Sequence, residues 1–263
     1  MAEEPVLREL DDDGVLLVTL NRPDKKNAFN DPQWDGLRDA LLEAREDPAV
    51  AVVVLTGAGK DFSSGQDLTA FGQASEPRDD GHPNGFAGCS RTVLEFDKPL
   101  LAAAKGIAVG GGCTLAVACD IVYVGESLRM RLPFANLGLV PEFASSYTLQ
   151  SAIGRQRAAE LFFTAEWIDA ARAVEMGMAA RVFPDQDLLA ETLKKAREIA
   201  QWPVSALRGI KRTLQVTNRA GVAAAVEAED AGMAEHAGSP ENIEAITAFV
   251  EKRAPDFKQF RRR

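Results

Sequence analysis

The sequence predicts an α/β fold with a helical C-terminal region, and three observations carry that prediction. Residues 49–57, "AVAVVVLTG", form a continuous β-branched run, the mark of a strand covered on both faces. The segments "KPLLAAAKGIAV" (98–109) and "CDIVYVG" (119–125) repeat the pattern with a glycine-led helix between them, an order that implies βαβ crossovers. From about residue 143 onward the chain reads as a succession of helices.

Taken in order, "VLRELDDDGVLLVTL" (6–20) reads as a hairpin of two short strands around an acidic Gly turn. "DPQWDGLRDALLEAREDP" (31–48) opens on Asp-Pro, a helix-start signature, and places Trp34, Leu37, Leu41 and Leu42 at helical spacing. Residues 72–88, "GQASEPRDDGHPNGFAG", form a polar Gly/Pro stretch longer than an ordinary connection, the kind that is disordered or acts as a lid. The later helices are expected in "SSYTLQSAIGRQRAAELFFTA", "IDAARAVEMG", "DLLAETLKKAREIAQW", "VSALRGIKRTLQ" and "SPENIEAITAFVEK". This gives a core over residues 1–200 and a helical region over 201–263.

Composition removes several function classes. The 263 residues carry a net charge of −9, which argues against a nucleic-acid surface. The terminal Arg261, Arg262 and Arg263 read as a solvated tail. Cys89, Cys113 and Cys119 make an odd count without CxxC spacing, which points to a reducing, cytoplasmic setting rather than a disulfide framework. His82 and His236 lie far apart and offer little material for a metal site or a His-based triad. The start "MAEEPVLREL" is acidic with no apolar signal core. The longest uncharged run, residues 106–119, is shorter than the ~20 residues of a membrane span. A soluble protein without a metal or redox cofactor is expected.

Familiar nucleotide and hydrolase motifs fail. "TGAGKDFSSG" lacks the first Gly of a phosphate loop and has Asp61 where Ser or Thr should follow Lys60. It also lacks the third glycine of a dinucleotide fingerprint, and no G-x-S-x-G elbow occurs. Two loops of one kind remain: "FSSGQDL" (62–68) and "AVGGGCTLA" (108–116), each after a buried strand, where α/β sheets bind ligands. Gly65 lets the chain turn so that the Gln66 N–H can point outward, and Gly111 offers an N–H at a helix start. Two such donors aimed at one point make an oxyanion hole. Close packing of the helix end against a neighbouring strand is the alternative cause of three glycines at 110–112.

These loops belong to a longer pattern: "NRPDKKNAFN" (21–30), "FSSGQDL", "GIAVGGGCTLAVACDIVYV" (106–124), "FANLGLVPE" (134–142), "AVEMGMAARVFP" (173–184) and "FVEKRAPDF" (249–257). In these motifs, which cover nearly the whole chain, the sequence resembles the crotonase, or enoyl-CoA hydratase/isomerase, superfamily. The resemblance implies a ββα spiral core with a C-terminal helical region, binding an acyl-CoA thioester whose oxygen rests on the Gln66 and Gly111 N–H groups. It places CoA near Lys25, Lys26 and Ala28, with Ser64, Gln66 and Leu68 around the adenine. Gly65, Asp67, Gly110 and Phe134 complete the expected CoA and acyl surroundings, Asp67 as a brace of its loop. It further implies a homotrimer or dimer of trimers, with "FVEKRAPDF" near a neighbouring subunit's CoA site.

The carboxylates depart from the hydratase pattern. Where the hydratases carry their two glutamates, this sequence has Thr114 and Phe134, and neither moves a proton at neutral pH. Thr114 is expected to bond back to a helix carbonyl and Phe134 to form an apolar wall. One acid remains, Glu142 in "LGLVPEFASS", where burial would raise its pKa. It matches the catalytic Glu of the peroxisomal-type 3-enoyl-CoA to 2-enoyl-CoA isomerases, which similarly carry "SG-x-DLT-x-F" and "PE...SSYT". A helix-start Glu after Pro141 is the alternative reading. The expected activity is isomerisation of a 3-enoyl-CoA with Glu142 as single acid/base. The alternatives are hydration or another crotonase reaction with a different residue set, a non-catalytic acyl-CoA binder, or an RNA-binding relative, against which the acidic charge counts.

Overall fold

Strands β1 (Val6–Leu10) and β2 (Val15–Leu20) form the expected antiparallel hairpin, with Val6 opposite Leu20 and Leu10 opposite Leu16. The acidic turn has a physical role: Asp11 Oδ1 accepts the N–H groups of Asp13 at 3.0 Å and Val15 at 2.9 Å. A computed structural model describes residues 4–68 and 83–261 of the chain. The terminal Arg262 and Arg263, His82, and residues 72–82 of the polar stretch lie outside them.

Helix α1 (Asp31–Glu46) starts where Asp-Pro placed it, but its cap is the residue before. The Asn30 side chain accepts the Gln33 N–H at 3.2 Å, a bond worth about 1 kcal/mol to the helix. Trp34, Leu37 and Leu41 are buried as their spacing requires, with Leu42 at the edge of the apolar stripe.

Strand β3 (Val52–Gly57) lies parallel between β2 and β4 (Leu100–Ala104), and β6 (Ile121–Gly125) and β9 (Arg181–Phe183) continue the sheet in the order β1-β2-β3-β4-β6-β9. Its apolar run is buried on both faces. Val53 and Leu55 pack toward α1, while Val52 and Val54 pack toward Leu188 and Ala196 of α7 (Leu188–Ala200). That two-sided cover is why the run does not alternate with polar residues. Helices α1, α2 (Gly85–Glu95) and α3 (Gly111–Ala118) make the crossovers between successive parallel strands.

Four expectations need correction. First, "KPLLAAAKGIAV" is not one strand: the chain breaks at Lys105–Gly106, and β5 (Ile107–Val109) joins β7 (Arg129–Arg131) and β8 (Ile168–Asp169) in a second sheet. The helix α3 therefore follows β5 rather than β4. Second, the helix over 145–165 is two helices, α4 (Ser145–Ile153) and α5 (Arg155–Thr164), divided at Gly154. Third, residues 85–88 are not loop but the first turn of α2, where Asp35 Oδ1 accepts the Gly85 N–H at 2.9 Å. Fourth, besides α6 (Ala170–Met176) and α8 (Val204–Val216), a helix the pattern did not reveal, α9 (Arg219–His236), precedes α10 (Pro240–Val250).

The C-terminal helices are tied to the sheet by charge. Lys211 on α8 donates to the Lys98 carbonyl at 2.9 Å and pairs with Asp120 at 2.8 Å. Asp120 in turn accepts the Leu100 N–H at 2.8 Å, so one carboxylate links α8 to the start of β4. Among the described residues no helix is long and apolar enough to cross a membrane.

Candidate active site

The site begins at the residues that follow β3. Segment 61–63 leaves the large sheet and pairs with β5: the Ser63 N–H donates to the Ile107 carbonyl at 2.9 Å, and the Val109 N–H returns a bond to the Ser63 carbonyl at 3.0 Å. Gln66 then forms an isolated parallel bridge with Phe29. In that bridge the Phe29 N–H donates to the Gly65 carbonyl at 2.7 Å and the Asp67 N–H to the Phe29 carbonyl at 2.8 Å. A parallel bridge directs the N–H of the bridged residue the other way, so the Gln66 N–H faces away from Phe29. The Gln66 side chain is fixed separately by the Trp34 indole, which donates to its Oε1 at 3.0 Å.

The three glycines each do something different. Gly110 adopts φ 52° and ψ −123°, a conformation that side chains rarely allow, and so turns β5 into α3. A Cβ on Gly112 would stand 2.5 Å from the Ser63 carbonyl oxygen, so this glycine serves close packing. A Cβ on Gly111 would meet Glu142 Oε1 at 3.1 Å and the Trp34 ring at 3.3 Å, so this glycine leaves room at the site itself. Both readings of the triplet hold, at different positions. The second loop touches the first: a Cβ on Gly65 would lie 2.4 Å from the Val109 oxygen and 3.4 Å from the Gly111 nitrogen. Among the described residues neither the Gln66 nor the Gly111 N–H donates to a protein acceptor.

Glu142 precedes α4 by three residues and is not part of it; its backbone carbonyl accepts the Ser145 N–H at 3.1 Å while its carboxyl points at Gly111. The helix-start reading is thereby set aside. The side chain borders the cavity, which leaves it some surface, but protein encloses the carboxyl elsewhere. That burial, with a contribution from the nearby Glu229, pushes its pKa up to about 8. A carboxyl so raised takes and returns protons near neutral pH.

These groups share a cavity of about 580 Å³. Lys25, Ala28, Ser64, Gly65, Gln66, Asp67 and Leu68 line one side, and Gly110, Gly111, Phe134 and Glu142 another, so nearly every sequence-predicted residue arrives there. Lys26 does not. Its backbone is left-handed at φ 51°, its side chain does not line the cavity, and its carbonyl accepts the Ser64 N–H at 2.9 Å. Asp67 is braced by Arg22 at 3.1 Å. The Thr114 hydroxyl lies 3.3 Å from the carbonyl oxygens of both Gly110 and Gly111, turned into its own helix. Phe134 is buried with its ring 6.2 Å from that of Phe162.

Several contributors were not placed at this cavity by sequence reasoning, Asp31, Phe86, Leu137 and Leu139 among them. Trp34 was legible only as helix core, yet it stacks on Phe29 at 3.5 Å and holds Gln66. Met233 on α9 and Phe249 on α10 close the cavity; Phe249 opens "FVEKRAPDF", which the resemblance placed near a neighbouring subunit's CoA site and which here reaches the cavity of its own chain. The cysteines stay out of the chemistry: all three are buried and free, and burial pushes the Cys113 thiol up to about 12. Among the described residues no cluster could hold a metal ion.

The chain is similar to known proteins along nearly its whole length. The family model described as "Enoyl-CoA hydratase/isomerase" matches residues 11–261. The chain is 33% identical over 246 residues to a 2,3-dehydroadipyl-CoA hydratase of Escherichia coli, covering 93% of this chain and 95% of that protein. The crystal structure of an enoyl-CoA hydratase/isomerase from Pseudoalteromonas atlantica superposes with a TM-score of 0.90 at 35% identity, covering 96% of this chain and 99% of that one. A monofunctional enoyl-CoA isomerase from M. smegmatis superposes with a TM-score of 0.69 at 33% identity, covering 81% and 93%. A match over almost the full length, on a fold that brings two bare N–H groups to one cavity, settles the lineage: the chain belongs to the enoyl-CoA hydratase/isomerase family of the crotonase superfamily, as an enzyme acting on acyl-CoA thioesters.

Proposed function

We propose that the enzyme moves the double bond of a 3-enoyl-CoA to the 2-position, with Glu142 as its single proton carrier. The observation that carries this reading is the placement of the Glu142 carboxyl against Gly111 while Thr114 and Phe134 stand where the hydratases have glutamates. Glu142 removes a proton from the carbon alpha to the thioester. The electron pair runs through the double bond to the thioester oxygen, and the Gln66 and Gly111 N–H groups take up the charge of the dienolate. Glu142 then returns the proton to the gamma carbon. Both carbons lie on one face of a bound chain, so one carboxyl suffices, and no cofactor is needed beyond the CoA that the substrate carries.

CoA binds along Lys25, Ala28, Ser64, Gly65, Asp67 and Leu68, and the acyl chain runs between Phe134 and the glycine loop. The competing reading is hydration, favoured by the names of relatives such as the Escherichia coli hydratase. Adding water requires a second proton-transfer group, and among the described residues none accompanies Glu142 on the cavity wall apart from the CoA-side Lys25, Asp31 and Asp67. Parallel assays decide between them: isomerisation of 3-hexenoyl-CoA against hydration of 2-hexenoyl-CoA by the same preparation. Isomerisation well in excess of hydration is expected, and the reverse ratio removes the proposal.

A further inference from the structure

Among the described residues Glu229 is a buried carboxylate that touches neither the cavity nor a cation, and its position needs a cause. It sits on α9 at 6% exposure, and burial raises its pKa against the pull of the N–H groups it accepts. Its Oε2 accepts the Ala144 N–H at 2.7 Å and its Oε1 the Ser146 N–H at 2.8 Å. Between Glu142 and α4 stand Phe143 and Ala144 with φ 65° and 55°, two consecutive side-chain-bearing residues in the left-handed region. Such a conformation persists only when its surroundings hold it. The two bonds from Glu229 span this strained corner, and they also place a negative charge at the N-terminus of α4, where the helix dipole favours it.

We propose that Glu229 is a positioning residue: it locks the Phe143–Ala144 corner and thereby aims the Glu142 carboxyl at Gly111. The inference rests on Glu142 being the proton carrier. The ionisable groups around Glu229 are Glu142 ahead of the corner, Tyr147 on α4, whose hydroxyl donates to Asn218 at 3.1 Å, and Asp230 on α9 itself. Glu142 thus faces a second carboxyl, whose repulsion adds to the effect of burial. Losing the charge at position 229 lets Glu142 ionise at lower pH.

Glu229→Gln, measured beside wild type and Glu142→Gln on 3-hexenoyl-CoA, tests this. The amide keeps the volume but turns a donor toward one of the two N–H groups and removes the charge. Turnover should fall roughly 10- to 100-fold, the scale of a misaimed catalytic group, with KM changed by less than about threefold. The acid limb of kcat/KM should move to lower pH. Wild-type turnover with an unmoved limb overturns the proposal, as does a loss that active-site titration traces to unfolded enzyme with the limb unmoved. Wild-type turnover in Glu142→Gln removes instead the reading beneath it, so the two failures are distinct. Should Glu229→Gln not fold, Glu229→Asp keeps the charge but withdraws it by one methylene. Reduced kcat at unchanged KM then supports the positioning role, and wild-type kcat overturns it.

Discussion

Glu142 Oε1 lies 3.1 Å from the point where a Cβ on Gly111 would stand. The proposed proton carrier and the residue proposed as one oxyanion donor are therefore separated by a gap that a single methyl group would fill.

Gly111→Ala should lower turnover roughly 10- to 100-fold, because the new methyl must displace the Glu142 carboxyl or the Trp34 ring. Stability should hardly change, since Gly111 starts a helix without left-handed backbone and Ala is the better helix former. Steady-state kinetics beside a thermal melt check both halves, and equal turnover would contradict the geometry.

Glu142→Gln should lose roughly 100- to 10,000-fold in isomerisation, the range of a lost general base. Acyl-CoA binding, measured by calorimetry with a thioester analogue, should persist. Turnover near that of wild type takes Glu142 out of the mechanism.

The raised Glu142 pKa has two opposite consequences. As a base the carboxyl must be ionised, so kcat/KM should climb as pH rises toward about 8 and level off above it. For stability the sign reverses. Between the ordinary value of 4.5 and about 8 the folded state holds a proton that the unfolded chain has released, so stability drains away as pH rises through that window. Glu142→Gln escapes this loss, and its melting temperature should exceed that of wild type by a margin that widens from pH 4.5 to about 8. Parallel melting curves at every pH would refute the shift.

Thr114→Glu with Phe134→Glu should raise hydration of a short 2-enoyl-CoA above the level of the parent. The gain should be small, because two acids in a space shaped around Phe134 are costly to bury and repel each other. Each single change should give less. Strong hydration by the unmodified enzyme that disappears in Glu142→Gln would overturn the isomerase reading.

Trp202, Ile210 and Leu214 on and before α8, with Phe249 and Val250 on α10, leave large apolar side chains 60% or more exposed. We take these side chains as the expected contacts of an assembly. Sedimentation at micromolar concentration should give a trimer or a dimer of trimers, and a monomer would contradict the assembly.

Much of this could be read from the chain because its signals are local. The hairpin follows from alternation around an acidic turn, and α1 from its cap and apolar stripe. The two glycine loops at the cavity were legible because glycine is informative wherever backbone must be bare. What escaped depends on contacts distant in sequence. "KGI" at 105–107 looks like continuing strand, and only the pairing of Ile107 with Arg129 moves it to another sheet. Helix α9, "RAGVAAAVEAEDAGMAEH", is too rich in alanine and acid to display an apolar stripe. Glu229 went unnoticed with it, since its partners lie 85 and 83 residues earlier.

The break at Lys105–Gly106 frees β5 to pair with the segment that leaves β3, which brings the two proposed oxyanion donors to one seam. Gln66 follows segment 61–63, and Gly111 follows β5. The seam between segment 61–63 and β5 is held through Asp61 Oδ1 on the Ile107 N–H at 2.9 Å and the Ser63–Ala108 bridge. The seam works as a caliper whose jaws are the two N–H groups. A change at Asp61 or Ala108, neither of which lines the cavity, should therefore reset the jaw width from outside the site.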